Sequence, residues 1–330
     1  MPTFRERFIK NLFQITPASF EEHALALFQY QATHNPIYKK YMAYLHLDIH
    51  HIKHSSQIPF LPIDFFKHHT IKTGDWKETH LFESSGTTGE SVSKHFVRDI
   101  HLYRKNTVAI RDFFYKNIRN SIILALLPSY LERPHSSLID MLRYWMEKSQ
   151  HATHAFYIDN EKALFEKLVF CKKNKQPVML WGVTFALLDF GNTYPFELDS
   201  ESIIVETGGM KGRKKELTRE EVHTQLKKSF QVSSIHSEYG MTELFSQGYA
   251  KEDGVFQTPP WMKILIREIN DPLTVVEKTK RGGINIIDLA NVDTCAFIET
   301  QDIGEITKNG FRVLGRIDHS DLRGCNLMSI

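Results

Sequence analysis

The chain has 330 residues and a mass of 38.4 kDa, enough for one large α/β domain or two ordinary ones. Hydrophobic residues make up 42% and charged residues 24%, a core-forming composition that excludes a disordered chain. A formal net charge of +2, from 41 basic and 39 acidic residues, excludes a general field for nucleic acid or an anionic membrane, so any anion site has to be local.

From the N-terminus, Phe4, Phe8, Ile9, Leu12 and Phe13 recur at helical spacing. A second helix is expected to begin near Ser19, with Glu22 three residues on as in a capping box. The stretch "MPTFRERFIKNLFQITP" has no continuous apolar core, so no signal peptide is expected. "HIKHSSQIPFLPIDFFKHH" follows, where Pro59 and Pro62 bracket a segment expected to be extended, since they bar a helix there. "LFESSGTTGESVSKH" follows at residues 81–95, dense in hydroxyls and glycine.

The middle of the chain alternates. "SIILALLP" and "PVMLWGV" read as strands, and 136–149 and 160–173 as helices; the apolar run 122–127 is too short to span a bilayer. "SIIVETGG" is a strand running into a double-glycine turn. The helix beyond it is capped reciprocally by Thr218 and Glu221, with Leu217 and Val222 placed for a hydrophobic staple. "FQVSSIH" reads as a further strand. This alternation predicts an α/β sheet with helices on its faces. After about residue 255, "MKILIREI", "GINIIDLA", "TCAFIET" and "FRVLGRI" are short strands between turns. Two parts are therefore expected: an α/β core with N-terminal helices over 1–255, and a smaller β-rich subdomain over 256–330.

Four segments have the residue types for nucleotide chemistry. In "SSGTTGES", Gly86 and Gly89 let backbone N–H groups approach an anion, and Ser84, Ser85, Thr87 and Thr88 add hydroxyls; the GxxxxGK[ST] spacing is absent, and a plain surface loop fits as well. In "IHSEYGMTELFSQG", Tyr239 can stack on a base, Gly240 permits close approach, Thr242 can bond a phosphate oxygen and Glu243 can hold Mg²⁺. A strand-to-helix turn with a satisfied carboxylate is the competing reading. Asp302 in "IETQDIGEI", placed after a strand, and Arg316 in "FRVLGRIDHSDLRGC" can bond ribose hydroxyls or cap turns.

The order of these segments resembles the motif series of the acyl-adenylate-forming superfamily. Within it, "IPFLPIDFFKHH", "PSYLERPHSSLIDM", "ETGGMKGRKKELTREE", "SEYGMTELFSQ" and "SDLRGCNLM" are similar to the LuxE-like acyl-protein synthetases of bacterial luminescence operons, and more distantly to phenylacetate–CoA ligase. The similarity runs from about Ile58 to Met328.

The resemblance implies an α/β adenylate-forming N-terminal domain without the usual C-terminal domain, and ATP-dependent activation of a fatty or aryl carboxylic acid as acyl-AMP. It implies that residues 84–89 wrap the β- and γ-phosphates, and that Gly208 and Gly209 line the adenine on which Tyr239 stacks. Thr242 would then bond the α-phosphate, Glu243 ligate Mg²⁺, and Asp302 with Arg316 bind the ribose. Two departures stand out: Lys94 lies two residues later than the usual loop lysine, and the usual T-G-D is T-Q-D. Cys325 is the position of the acyl-accepting cysteine, and thiolate chemistry would be favoured by nearby cations. An acyl-accepting protein or a reductase is the implied partner.

Cys171 and Cys295 stand in apolar settings expected to be core, and the three cysteines form no CxxC pair, which fits a reducing cytoplasm. His236 is a candidate for sensing the acid's charge, and Trp181, Phe185 and Phe245 for lining its pocket. His50 and His54 have i, i+4 spacing without an acidic or thiol partner, so no metal site is expected there. "KGRKKE" reads as a solvated run. Two rival functions stay open: an acyl- or aryl-CoA ligase, and a non-catalytic nucleotide-binding subunit of a reductase or synthase complex.

Overall fold

The structure is a computed structural model that describes residues 2–85, 91–116, 121–128, 135–149, 151, 153–158, 160–208, 217–276 and 281–317. The chain forms two compact units, Met1–Asp75 with Pro260–Ile330, and Trp76–Pro259. The break expected after residue 255 lies at 259/260, but the expected grouping differs. The N-terminal helices belong with the C-terminal strands.

Buried hydrogen bonds explain that grouping. Helix α1 (Phe4–Asn11) starts from a capping box between Thr3 and Glu6, and Arg5 on it forms a forked ion pair with Asp293, at 2.5 and 2.7 Å. Helix α2 (Phe20–His34) buries Gln31, whose amide donates to the Asn291 carbonyl at 2.9 Å and accepts from Ala296 N–H at 2.9 Å. Asn35 caps α3 (Pro36–Tyr44), accepting from Ile37 and Tyr38 N–H, and donates to the Thr294 carbonyl at 3.0 Å. These buried amides find partners in the 291–296 backbone, and so tie the two ends of the chain together. The capping box expected at Ser19 does not form. Ser19 is αR and its hydroxyl accepts from Thr16 N–H at 3.1 Å, while neighbouring Glu21 is taken by Ser55. His50 falls in a short 3₁₀ turn, Ile49–His51, and His54 outside it, so the two do not share a helical face. Strand β1 (Leu61–Pro62) falls in the proline-bracketed segment, extended there as expected, and the one-turn helix α4 (Phe65–His68) follows it.

The second unit begins with a hairpin of β2 (His80–Glu83) and β3 (Lys94–Val97), followed by α5 (Ile100–Phe114). Then come β4 (Ile122–Leu126), α6 (Ser137–Lys148), β5 (Ala155–Tyr157), α7 (Glu161–Lys173), β6 (Val178–Val183), α8 (Thr184–Thr193), β7 (Ile203–Thr207), α9 (Arg219–Phe230) and β8 (His236–Tyr239). Strands β9 (Gly248–Ala250) and β10 (Phe256–Gln257) turn back antiparallel. The sheet order is β10-β9-β8-β7-β6-β4-β5, with β4 to β8 parallel. Every residue of β4 and β6 is buried, as continuous apolar runs covered on both faces require. The expected strand "FQVSSIH" is displaced: Phe230 ends α9, Gln231 takes a left-handed conformation at its C-cap (φ 51°), and pairing with β7 begins only at His236. The Thr218–Glu221 box forms as expected.

The first unit resumes with β11 (Met262–Arg267), β12 (Arg281–Asp288), β13 (Phe297–Thr307) and β14 (Gly310–Arg316), an antiparallel run with β1 parallel to β13. Cys295 is buried in this unit, and burial raises its thiol pKa to about 12.

Candidate active site

In parallel sheets of this kind ligands bind outside the carboxyl ends of the strands. The predicted residues Gly208, Tyr239 and Gly240 stand at the carboxyl ends of adjacent strands β7 and β8, where Thr207 pairs with Glu238. Gly208 has φ +64°, a left-handed conformation that favours glycine, and its carbonyl accepts from Thr184 Oγ1 at 3.0 Å. Gly240 has no room for a side chain, because a Cβ there would collide with the Glu238 carboxylate. Tyr239 is buried and its ring packs at 5.8 Å from Phe256. Gly209 lies outside the described residues.

Alternation along β7 and β8 sorts the titratable groups onto two faces. Glu206 is directed toward α9: it lies 3.6 Å from His223 Nε2 and 3.7 Å from Arg219 Nε, and accepts from Thr184 Oγ1 at 2.7 Å. Burial would raise the Glu206 pKa, but His223, Arg219, Ser237 and Thr184 together lower it. On the other face, Glu238 accepts a hydrogen bond from the Thr207 hydroxyl. Burial raises its pKa to about 7, against that hydrogen bond, with the Glu206 charge adding to the rise. His236 stacks on Tyr115, with centroids 5.6 Å apart and Nδ1 3.2 Å from the phenol oxygen. Burial, with Lys251 and His223 adding to it, lowers its pKa to about 4. It is therefore a neutral ring, able to hydrogen-bond a carboxylate but not to pair with one as a cation.

The turn after β8 carries Thr242 and Glu243, the latter 5% exposed. His95 of β3 places Nδ1 2.8 Å from the Thr242 carbonyl, and Asn106 of α5 donates to the Phe245 carbonyl at 2.8 Å. Phe245 stacks on His95 at 4.8 Å and Trp181 packs edge-on to Trp145, so both are core rather than pocket residues. Phe185 borders a cavity of about 510 Å³ with Leu126, Pro128, Ile158, Asp189 and Tyr194.

The β2–β3 hairpin carries the hydroxyl-rich loop. Ser84 and Ser93 close its base: Ser84 N–H donates to the Ser93 carbonyl at 3.1 Å, and Ser93 N–H to Ser84 Oγ at 2.9 Å. Ser85 is described and exposed; Gly86, Thr87, Thr88 and Gly89 lie outside the described residues. Lys94 is exposed on β3.

In the first unit, Asp302 and Arg316 pair across β13 and β14, with Nε and Oδ1 3.4 Å apart. Asp302 is inside β13 and not in a turn after it: it pairs with Arg316 of β14, while β12 pairs with the strand on either side of it, at residues 297–299 and 303–305. The T-Q-D departure has a local reason: Gln301 Nε2 donates to Asp64 Oδ2 at 2.7 Å, binding "PIDFFKHH" to the strand.

The family model for acyl-protein synthetase, LuxE, matches residues 16–329. The chain belongs to this family. No curated protein matches the sequence. Among solved structures, ATP-bound MatB from Rhodopseudomonas palustris is similar at 12% identity and TM-score 0.54, over 72% of this chain and 47% of MatB. A 2-hydroxyisobutyryl-CoA ligase in complex with 2-HIB-AMP and CoA is similar at 12% identity and TM-score 0.68, over 96% of this chain and 72% of the ligase. At these identities the likeness is one of fold, that of acyl-adenylate and CoA ligases. The chain spans about half the length of MatB.

The acyl-protein synthetase signature extends past the described residues: Cys325, its candidate acyl acceptor, lies outside them. Cys171 and Cys295 are buried, and burial raises both thiols, so neither is poised as a thiolate. Among the described residues no group of three or more His, Cys, Asp and Glu could hold a metal, and no helix is long and apolar enough to cross a membrane. The motif series does not reveal His95, Asn106, Glu206 or Glu238. The apolar run of β7 could have flagged Glu206, which follows Ile203, Ile204 and Val205 on one strand.

Proposed function

We propose that the chain activates a fatty or aryl carboxylic acid with ATP, forming acyl-AMP and pyrophosphate, and passes the acyl group to a protein thiol, Cys325 or that of a partner. A carboxylate oxygen attacks the α-phosphorus, and the bond to the bridging oxygen of pyrophosphate breaks. The thiolate then attacks the acyl carbon and expels AMP. The observation that carries the reading is the convergence of Gly208, Tyr239, Gly240, Thr242 and Glu243 on two adjacent strand ends, in a chain whose family is the acyl-protein synthetases.

The work of such a site is positioning and charge stabilisation. Gly208 and Tyr239 would enclose the adenine, and the loop 84–89 the departing pyrophosphate. Thr242 would bond the α-phosphate. A single enclosed carboxylate suits magnesium, which keeps several waters and is held by one or two carboxylates plus substrate phosphates. Bound there, Mg²⁺ would neutralise phosphate charge. His236, neutral and held by Tyr115, can hydrogen-bond the acid.

The test is acid-dependent ATP–pyrophosphate exchange without CoA, across fatty and aryl acids, followed by hydroxylamine release of acyl groups from the protein. Exchange with a hydroxylamine-sensitive adduct is expected. Exchange with acyl-CoA formation and no adduct would favour a CoA ligase, the reading suggested by the CoA-bound structural neighbour. Bound ATP with silence across the panel would favour a non-catalytic nucleotide-binding subunit.

A further inference from the structure

We infer that His95 is a positioning residue of the adenylation site, a latch that fixes the Thr242–Glu243 turn relative to the hairpin bearing the hydroxyl-rich loop. The inference rests on the function proposed above.

His95 alternates inward on β3 between exposed Lys94 and Phe96, and is fully buried opposite Phe82. It belongs to an aromatic layer. Phe82 meets Tyr103 edge-on at 4.7 Å, Tyr103 meets Phe245 at 5.3 Å, and Phe245 stacks on His95 at 4.8 Å. A leucine could fill that layer. What the imidazole adds is a donor: its Nδ1 lies 2.8 Å from the Thr242 carbonyl, which can only accept, so Nδ1 carries the proton. Burial lowers the ring's pKa to about 4, so this neutral tautomer persists at neutral pH.

The bond reaches Glu243 through covalent geometry. The Thr242 carbonyl and the Glu243 N–H share one planar peptide, so holding the carbonyl fixes the orientation in which the Glu243 Cα leaves it. Asn106, also fully buried, anchors the Phe245 carbonyl at 2.8 Å and Ser246 Oγ at 3.1 Å. The carboxylate residue thus hangs between two anchored carbonyls. On the hairpin side, Ser93 closes the loop base two residues from His95. One side chain therefore sets the spacing between the hairpin base at Ser84 and Ser93 and the Thr242–Glu243 turn, and in a site that works by positioning a misplacement of about 1 Å can cost on the order of a hundredfold in rate.

Two substitutions separate the latch from plain packing. His95→Phe keeps a ring against Phe245 and removes the donor. His95→Asn supplies an amide N–H and removes the ring. In pyrophosphate exchange on the full chain, His95→Phe should raise KM for MgATP by roughly three- to tenfold, as the loss of one hydrogen bond implies, with KM for the acid little changed. His95→Asn should recover most of that loss despite a lower thermal midpoint than His95→Phe. If KM for MgATP instead follows the thermal midpoint across the variants, or is unchanged in His95→Phe, the inference falls. Deuterium exchange of peptides spanning 241–247 gives an independent reading: faster in His95→Phe and restored in His95→Asn is expected, and equal rates would overturn the latch. If the wild type exchanges no pyrophosphate with any acid, the proposed function fails, and the peptide exchange still decides the latch.

Discussion

Replacing Glu238 by glutamine should make the protein's stability less dependent on pH, in a direction set by geometry. The carboxyl sits between Thr207, which donates to it, and the enclosed tyrosines Tyr103, Tyr115 and Tyr249, whose own ionisation is suppressed chiefly by burial and further by this carboxylate. Its folded pKa is raised to about 7 from an ordinary 4.5, mainly by burial. A raised folded pKa means that the associated stability is fully present below pH 4.5 and is lost as pH rises through 7. At about 1.4 kcal/mol per unit the full span is about 3 kcal/mol. That is a ceiling, because part of the residue reaches solvent, which screens the charge. Glutamine keeps an oxygen for the Thr207 hydroxyl and cannot ionise. Urea midpoints of the two proteins, measured from pH 5 to pH 8 at unchanged m-value, should coincide near pH 5 and diverge by about 2 kcal/mol in favour of Glu238→Gln at pH 8. The histidine titrations are common to both proteins and cancel in the difference. A difference independent of pH would refute the assignment of this carboxyl as the titrating group.

On the acid side the sign reverses: His95, His154 and His236 are held neutral, with burial lowering each pKa to about 4, so stability present above pH 6.5 should fall as pH drops toward 4. A thermal midpoint flat from pH 7 to pH 4 would contradict it. Glu243→Gln should lower pyrophosphate exchange by roughly a hundredfold to a thousandfold with the thermal midpoint little changed; wild-type activity would remove its metal role. Cys325→Ser should keep exchange and abolish the hydroxylamine-sensitive adduct, whereas an adduct that persists places the acceptor elsewhere. Asn35→Ala removes a helix cap and leaves the Thr294 carbonyl without that donor, so it should cost about 2–4 kcal/mol in urea unfolding. A loss below about 1 kcal/mol would show that the 291–296 backbone does not depend on it.

The parallel strands are legible in the sequence because a strand covered on both faces needs nothing beyond a continuous apolar run, and "IILALL" and "VMLWGV" are such runs. The start of α9 is legible because Thr218 and Glu221 satisfy each other within one turn. The misread boundaries are those decided at a distance. Ser19 has the spacing of a capping box, yet tertiary capture of Glu21 by Ser55 and the Thr16 turn set its conformation. Asp302 has the look of a turn residue, yet pairing with Arg316 of β14 keeps it in β13. His95 carries no local signal at all, since its partner stands 147 residues further along the chain.

The same alternation that places the site also limits what its scaffold can supply. On one face of β7 and β8, Glu206 is balanced by Arg219 within α9's first turn and accepts from the Thr184 hydroxyl, with His223 Nε2 3.6 Å away. On the other, Glu238 is largely protonated below pH 7 and His236 is neutral, so the nearby Lys251 is the cation whose charge His236 registers. His95 is neutral as well. Glu243 adds a carboxylate to this set. Among the described residues these strand ends offer neutral hydrogen-bonding groups and carboxylates beside Arg219 and Lys251, and the Coulomb term favours ATP further where positive charge is brought in. In the proposed reaction that charge arrives with the substrate, as MgATP. In that reading an enclosed carboxylate beside a triphosphate would be repulsive without the metal and attractive with it, so Glu243 would select the metal-bound nucleotide as well as ligate its metal. It also explains why its peptide should be held at both ends by His95 and Asn106: a group that changes from repulsive to attractive with one ion must be placed before the ion arrives.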